Sequence, residues 1–179
     1  MKTTQILIAG FGGQGILFSG KFLAYKGLIE ELQVSWLPSY GPEMRGGTAN
    51  CNVILSDSAV GSPIITVPDV LIAMNLPSLQ KYVDTVAPGG QIYVDSSLID
   101  ARVERSDVDV FYIPATQMAK DAGIGTLANM IIIGHLLENH PELSFDGTDK
   151  VVESLVPPKK AALKELNMKA LDLGKNYNK

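Results

Sequence analysis

The residues that most clearly suggest ligand binding are a run of glycines near the start of the sequence. The run reads Gly-Phe-Gly-Gly-Gln-Gly, and its candidate binding residues are Gly10, Gly12, Gly13, Gln14 and Gly15. Its spacing is G-x-G-x-x-G, which lets the backbone turn tightly and approach a phosphate, while a following helix offers free N–H groups. We call residues 10–15 the glycine turn and predict that it is a ligand or interface loop.

Three interpretations of the glycine turn are open, and the sequence disfavours one of them. A dinucleotide site needs an acidic residue at the end of the second strand to hold a ribose hydroxyl. The second predicted strand ends at Trp36-Leu37-Pro38 without a carboxylate, because Glu30 and Glu31 precede it. This disfavours NAD or FAD, and no Gly-Lys-Ser/Thr follows as in a Walker phosphate loop. The alternatives are a turn that only lets a helix pack on the sheet, and a contact with a nucleotide-like anion or a partner chain.

A second segment is unusual for a solvated loop. It consists of Ser39, Tyr40, Gly41, Pro42, Glu43, Met44, Arg45, Gly46 and Gly47, and we call it the 39–47 loop. Arg45 can hold a carboxylate or phosphate through two hydrogen bonds, with Glu43 orienting it or pairing across an interface. The alternative is a structural loop in which Glu43 pairs with Arg45. If the preceding strand is parallel to the first and lies beside it, both loops lie at the ligand-binding edge of the sheet.

The elements around these loops predict an α/β fold. Apolar runs predict strands at 5–9, 33–37, 48–55, 70–75, 91–95 and 110–114. Helical spacing predicts helices at 16–28 (closing near Gly27), 76–86, 115–122, 127–137 and 159–173, the last a surface helix. We therefore predict a three-layer α/β/α sandwich with a largely parallel or mixed sheet and a Rossmann-like start. We expect residues 1–179 to form a single domain, with Gly174–Lys179 frayed.

Composition excludes several classes of protein. The chain has 179 residues and a net charge of −4, which gives no support to nucleic-acid binding. No stretch approaches the 18 or so apolar residues that a membrane span needs. Cys51 is the only cysteine, so the chain alone cannot build a four-cysteine iron–sulfur cluster, a disulfide or a Cys-rich zinc site. We expect Cys51 to be a buried, inert thiol and the protein to be cytoplasmic.

A few further residues are candidates for structural or binding roles. His135 lies in an apolar helix and is predicted to be a core or interface residue, whereas His140 precedes a proline and is predicted to be exposed. Asp95 ends a strand and favours a turn or helix cap over ligand binding. Thr126 is predicted to cap the 127–137 helix, which places Asn129 in the first helical turn near a candidate interface or ligand.

The two glycine-rich motifs together resemble a known family. Gly-x-Gly-Gly-Gln-Gly followed by Ser-Tyr-Gly-Pro-Glu-x-Arg-Gly-Gly is similar to the gamma subunit of 2-oxoacid:ferredoxin oxidoreductases, which act on pyruvate, 2-oxoisovalerate, 2-oxoglutarate and similar acids. The continuation Thr48-Ala49-Asn50-Cys51 is also similar, and the resemblance covers the whole chain in size and order of elements. A branched-chain 2-oxoacid or 2-oxoglutarate is the favoured substrate.

The resemblance implies a subunit role rather than an enzyme that is active alone. The complex would decarboxylate a 2-oxoacid oxidatively with coenzyme A, giving acyl-CoA, carbon dioxide and reduced ferredoxin. Thiamine diphosphate, Mg²⁺ and iron–sulfur clusters are expected on alpha-type, beta-type and ferredoxin-like delta partners, with no catalytic residue or metal on this chain. The glycine turn and the 39–47 loop would contact coenzyme A or partner chains, and the sequence leaves open whether the isolated chain is a monomer or a homodimer. The alternatives are an indolepyruvate oxidoreductase subunit and a stand-alone nucleotide-binding, Rossmann-like protein.

Overall fold

The computed structural model describes residues 2–39 and 48–178, which form a mixed six-stranded sheet. The strands are β1 (Thr3–Phe11), β2 (Gln33–Ser39), β3 (Thr48–Ser56), β4 (Val70–Ala73), β5 (Gln91–Asp95) and β6 (Asp109–Ile113). Their order across the sheet is β2-β3-β1-β4-β5-β6. From β1 to β6 the neighbours are parallel, whereas β3 is antiparallel to both β1 and β2. The predicted α/β fold with a mixed sheet is confirmed.

Helices cover both faces of the sheet. They are α1 (Ile16–Ile29), α2 (Leu76–Tyr82), α3 (Ala115–Asp121), α4 (Ala128–Asn139), α5 (Thr148–Leu155) and α6 (Ala161–Lys175), with 3-10 turns at Val83–Thr85 and Pro158–Lys160. One core lies between the sheet and α1, α3, α4, α5 and α6, and a smaller one lies beneath α2. Within the described ranges, no helix is long and apolar enough to cross a membrane.

Helix α1 runs slightly further than predicted and buries a lysine. It continues through Gly27 to Ile29, and Glu31 takes the left-handed conformation (φ 60°) that ends it. A Cβ on Gly27 would lie 2.6 Å from Leu55 Cδ2, so this glycine lets the helix pack closely on β3. Lys26 has the charge of a surface residue but is fully buried, with its ammonium paired to the Glu30 carboxylate. The ion pair compensates the buried charge of Lys26.

The predicted fraying of the C-terminal residues is wrong at its beginning. Helix α6 extends to Lys175, and Gly174 is packed against α4. A Cβ on Gly174 would overlap the Ile131 carbonyl oxygen, and a Cβ on Gly134 would overlap the Leu171 carbonyl oxygen. The two helices therefore cross with backbone against backbone, and this contact buries Gly174, which sequence position alone assigned to solvent.

Candidate functional site

The glycine turn lies at the carboxyl edge of β1, where the chain enters α1. Strand β1 runs further than predicted, so Gly10 and Phe11 are strand residues that pair with Ala49 and Thr48 of β3. Only residues 12–15 form the turn itself. The antiparallel β3 therefore starts beside the place where β1 ends.

The 39–47 loop begins at the same edge of the sheet. Strand β2 ends at Ser39, opposite Asn50 of β3. Of the two conditions set for this edge, one is met: β2 runs parallel to β1, because β3 is antiparallel to both, but β2 does not lie beside β1, because β3 separates them. The strands before and after the loop thus lie on the same side of β1, with β3 next to it and β2 one strand further away. The remaining residues of this prediction lie outside the described residues: Tyr40, Gly41, Pro42, Glu43, Met44, Arg45, Gly46 and Gly47.

The glycine turn has one open side and one closed side. Gly13 (φ 93°) and Gly15 (φ 77°) occupy the left-handed region, where a side chain is strained. A Cβ on Gly13 would meet no atom of residues 2–39 or 48–178 within 4 Å. A Cβ on Gly15 would lie 2.5 Å from Asn129 Nδ2. A ligand can therefore approach the backbone at Gly13, whereas α4 covers Gly15.

Gln14 turns its side chain inward to hold the turn. Its Oε1 accepts a hydrogen bond from the Phe11 backbone N–H at 2.6 Å, and its Nε2 donates to the Met74 carbonyl at 2.8 Å. Both polar ends of the amide are thus used by the ends of β1 and β4. Gln14 was predicted with the glycines as a candidate binding residue, and the geometry gives it a part in fixing the shape of the turn.

A cavity of about 270 Å³ borders the glycine turn. Its lining consists of Phe11, Gly12, Gly13, Gly15, Ile16, Leu17, Phe18 and Ala49. Helix α1 starts beside it from Gly15, which has no side chain to cap the helix, and the described first turn carries no acidic residue. The free N–H groups and positive end of α1 therefore face an apolar recess, an arrangement suited to an anionic group attached to an apolar one.

The start of α4 is tied to the turn in a way that the sequence did not predict. Thr126 is not its cap: the N-cap residue is Leu127, and no side chain among the described residues caps it. Asn129 instead reaches α1, and its Nδ2 donates to the Gly15 carbonyl at 3.2 Å and to Ser19 Oγ at 3.0 Å. One signal was available, namely an asparagine in an otherwise apolar helix, since a buried amide needs a hydrogen-bond partner.

Other candidate residues have structural roles. Cys51 is fully buried, and burial raises the pKa of its thiol to about 12, which confirms the predicted inert thiol. Asp95 caps the neighbouring backbone as expected, with Oδ2 accepting from Thr116 Oγ1 at 2.6 Å and Oδ1 from Ser97 N–H at 3.1 Å. His140 is half-buried rather than exposed. In the part of the chain that the structure describes, no group of three or more His, Cys, Asp or Glu residues can hold a metal ion.

Sequence comparisons match nearly the whole chain. The family described as pyruvate ferredoxin/flavodoxin oxidoreductase matches residues 5–177. The 2-oxoglutarate synthase subunit KorC of Methanothermobacter marburgensis is 34% identical, over 96% of this chain and 94% of the relative. The ketoisovalerate oxidoreductase subunit VorA of the same organism is 33% identical over 98% of this chain, which spans only 37% of VorA's length.

Solved structures agree with this assignment. A keto/oxoacid ferredoxin oxidoreductase gamma subunit from Geobacter sulfurreducens superposes with a TM-score of 0.79 at 29% identity, covering 96% of this chain and 95% of that one. A 2-oxoglutarate:ferredoxin oxidoreductase from Magnetococcus marinus was solved with 2-oxoglutarate, coenzyme A and succinyl-CoA bound. It superposes with a TM-score of 0.86 at 28% identity, covering 98% of this chain and 31% of that one. The resemblance seen in the two motifs is confirmed, and the chain belongs to the pyruvate ferredoxin/flavodoxin oxidoreductase family.

Proposed function

We propose that this chain is the gamma subunit of a multi-subunit 2-oxoacid:ferredoxin oxidoreductase. The complex would convert a 2-oxoacid and coenzyme A into acyl-CoA and carbon dioxide, and the electrons released would reduce ferredoxin. The observation that carries the proposal is the nearly end-to-end match with the KorC subunit, because it pairs this chain with a separate subunit of similar length. We also propose a cytoplasmic location, supported by the single cysteine, which leaves the chain without an internal disulfide.

The redox and decarboxylation chemistry would belong to partner chains. Alpha-type and beta-type partners would hold thiamine diphosphate and Mg²⁺, and a ferredoxin-like delta partner would hold the iron–sulfur clusters. The burial of Cys51 supports this division, since it raises the pKa of the chain's one thiol to about 12. Asp95 is likewise occupied, because its carboxylate caps the start of α3. This chain would contribute scaffold and binding surface and no catalytic residue.

Coenzyme A is the ligand that best fits the glycine turn. Its phosphates suit the free N–H groups at the start of α1, and the apolar recess beside Gly13 can accept an uncharged part of the molecule. The Magnetococcus relative was solved with coenzyme A bound, which supports the choice of ligand but not its place on this chain. The 39–47 loop joins β2 to β3 at the same edge of the sheet as the turn, so Arg45 would add a cationic contact to a phosphate.

The favoured substrates are 2-oxoglutarate and a branched-chain 2-oxoacid. These are the substrates named for KorC and VorA, at 34% and 33% identity. An indolepyruvate oxidoreductase is the second candidate, because subunit IorB of Archaeoglobus fulgidus is 25% identical over 96% of this chain. A stand-alone dinucleotide enzyme fits less well, since β2 carries no carboxylate at its end and lies two strands from β1.

Purification of the tagged chain from its source cells with its partners tests the assignment. We expect reduction of ferredoxin or methyl viologen that needs coenzyme A and either 2-oxoglutarate or 2-oxoisovalerate, with pyruvate and indolepyruvate tested alongside. Activity on indolepyruvate alone would select the second candidate. Failure to find partners that bind thiamine diphosphate and iron–sulfur clusters, together with micromolar binding of NAD or FAD by the chain alone, would reject the proposal.

Arg45→Ala tests the coenzyme A contact within the same complex. We expect normal assembly and a KM for coenzyme A about tenfold higher, because a charge-assisted hydrogen bond contributes about 1.5–3 kcal/mol. Arg102→Ala is the control, since Arg102 is exposed and stacks on Tyr112 on the α2 side of the sheet, 4.2 Å from the ring centre. An Arg45→Ala complex with unchanged assembly and unchanged dependence on coenzyme A contradicts the assignment of this loop.

A further inference from the structure

We propose that Asn129 is a positioning residue: it sets the direction of the Gly15–Ile16 peptide, and with it the N–H group that the glycine turn presents to a ligand. The effect on coenzyme A rests on the proposed function above. The effect on the turn itself can be measured without it. The inference comes from a contact between two helices that are far apart in sequence.

The Gly15 carbonyl is held by donors from two helices. It accepts from the Ser19 backbone N–H at 2.9 Å, as the first bond of α1, and from Ser19 Oγ at 3.1 Å. Asn129 Nδ2 adds a third donor from α4 at 3.2 Å and also donates to Ser19 Oγ at 3.0 Å. Asn129 is only 3% exposed, so these bonds take the place of bonds to water.

Fixing this carbonyl fixes a donor on its other side. In a trans peptide the C=O and the following N–H point in opposite directions, because the peptide group is planar. The Gly15 carbonyl faces α4 and the helix interior, so the Ile16 N–H faces away from them. That N–H is one of the four at the start of a helix that have no partner within it. Ile16 also lines the cavity beside the turn.

Asn129 closes the side of the turn that Gln14 does not hold. Gln14 ties the first half of the turn to β1 and β4, and Asn129 ties the second half to α4. Gly15 is shaped around this contact, since a Cβ there would meet the Asn129 amide. A turn held at both ends binds its ligand without first being ordered, which improves affinity.

Two substitutions separate the shape of the side chain from its hydrogen bonds. Asn129→Asp keeps the shape but replaces the Nδ2 donor with an oxygen that cannot bind the Gly15 carbonyl, and Asn129→Ala removes both. Asn139→Ala is the matched control on the same helix, where Nδ2 of Asn139 donates to the His135 carbonyl at 2.8 Å. All three variants lose one asparagine amide from α4, but only those at position 129 touch the turn.

Hydrogen–deuterium exchange on the full chain gives the first readout. We expect amides of residues 12–19 to exchange about fivefold faster in Asn129→Asp and Asn129→Ala, in keeping with the loss of a net hydrogen bond. Exchange there should be unchanged in Asn139→Ala. Equal exchange at residues 12–19 in wild type and Asn129→Asp overturns the inference, whatever the chain binds.

Kinetics of the assembled complex give the second readout. We expect the KM for coenzyme A to rise about tenfold in Asn129→Asp with kcat nearly unchanged, whereas Asn139→Ala leaves both unchanged. If coenzyme A protects residues 12–19 from exchange in the wild-type complex, equal KM values in Asn129→Asp and Asn139→Ala overturn the positioning role. If coenzyme A does not protect residues 12–19 from exchange even in the wild-type complex, the proposed contact fails, while faster exchange in Asn129→Asp still supports the effect on the turn.

Discussion

Glycine serves opposite purposes in the glycine turn and at the crossing of α4 with α6. At Gly13 a side chain would enter space that no described residue fills, but the backbone conformation disfavours one. At Gly134 and Gly174 the conformation is helical, but each position faces the backbone of the other helix without room for a methyl group. Gly13 leaves open space at the surface of the described structure. At Gly134 and Gly174 the backbone of the facing helix occupies the space that a side chain would need.

This difference separates glycines that serve binding from glycines that serve packing. In the turn, the adjoining side chains of Gln14 and Asn129 face inward and the backbone is left for contact with a ligand. At the crossing, the contacts are carbonyl against Cα, so a substitution displaces a whole helix. Variants in the turn should therefore change ligand binding as well as stability, whereas variants at the crossing should change stability alone.

Gly174→Ala should have the largest effect on stability. The added methyl group overlaps the Ile131 carbonyl, and overpacking against a backbone that cannot move aside lies at the upper end of such costs, about 3 kcal/mol. Urea unfolding followed by circular dichroism measures the loss. Gly61→Ala is the control, since a Cβ there meets no described atom within 4 Å, and its effect should stay within about 0.5 kcal/mol. If Gly174→Ala lowers the free energy of unfolding by less than about 1 kcal/mol, α4 and α6 can move apart to accept the methyl group.

Gly13→Ala should have a smaller effect on stability and a distinct effect on binding. The left-handed conformation costs a residue with a Cβ about 1–2 kcal/mol. Gly89→Ala is matched to it, because Gly89 (φ 79°) also has open space around its Cβ position but precedes β5 at the opposite edge of the sheet. We expect similar losses in urea unfolding, and a KM for coenzyme A about tenfold higher only for Gly13→Ala. Equal KM values in the two variants would place the ligand away from the turn.

The strands could be predicted from the sequence because each is a short apolar run bounded by glycine, proline or polar residues. All six lie within a few residues of their predicted positions. Their order could not be predicted, because the insertion of the antiparallel β3 between β1 and β2 depends on pairing between distant segments. Helix α5 was missed, since its buried face has few apolar residues, chiefly Val151 and Val152.

The site was predictable where it is local and unpredictable where it depends on contacts across the fold. The strand, turn and helix around Gly13 follow from spacing alone. The contact between Asn129 and Gly15 joins residues 114 positions apart, so spacing carries no sign of it. Gly174 lies near the end of the sequence, where fraying is the usual expectation, and only its packing against the Ile131 backbone of another helix explains its burial. The binding role of the 39–47 loop remains a prediction.

The smallest expected effect is a pH dependence at the crossing. His135 is 4% exposed, its Nδ1 lies 3.1 Å from the Gly174 carbonyl, and its ring meets those of Phe111 and Tyr177 edge-on. Burial lowers the pKa of His135, although the hydrogen bond to Gly174 and the charge of Glu138 partly oppose this. Because the carbonyl only accepts, the neutral ring donates through Nδ1.

Since the pKa of His135 is lower in the folded chain, the unfolded chain takes up the proton first as the pH falls. Stability from this residue is therefore complete above the ordinary histidine pKa of about 6.5 and decreases below it, by at most about 1.4 kcal/mol per pH unit. Urea unfolding between pH 7.5 and about 5 should show a shallower pH dependence in His135→Gln than in wild type. Burial also lowers the pKa of His140, so His140→Gln is the matched control. It should reduce the pH dependence of the unfolding free energy independently of His135→Gln. If the pH dependence of the unfolding free energy is the same in His135→Gln as in wild type, the buried histidine at the α4–α6 crossing does not contribute to it. Loss of hydrogen-exchange protection near Gly174 at low pH, with residues 12–19 unaffected, would show that this pH dependence belongs to the α4–α6 crossing and not to the glycine turn.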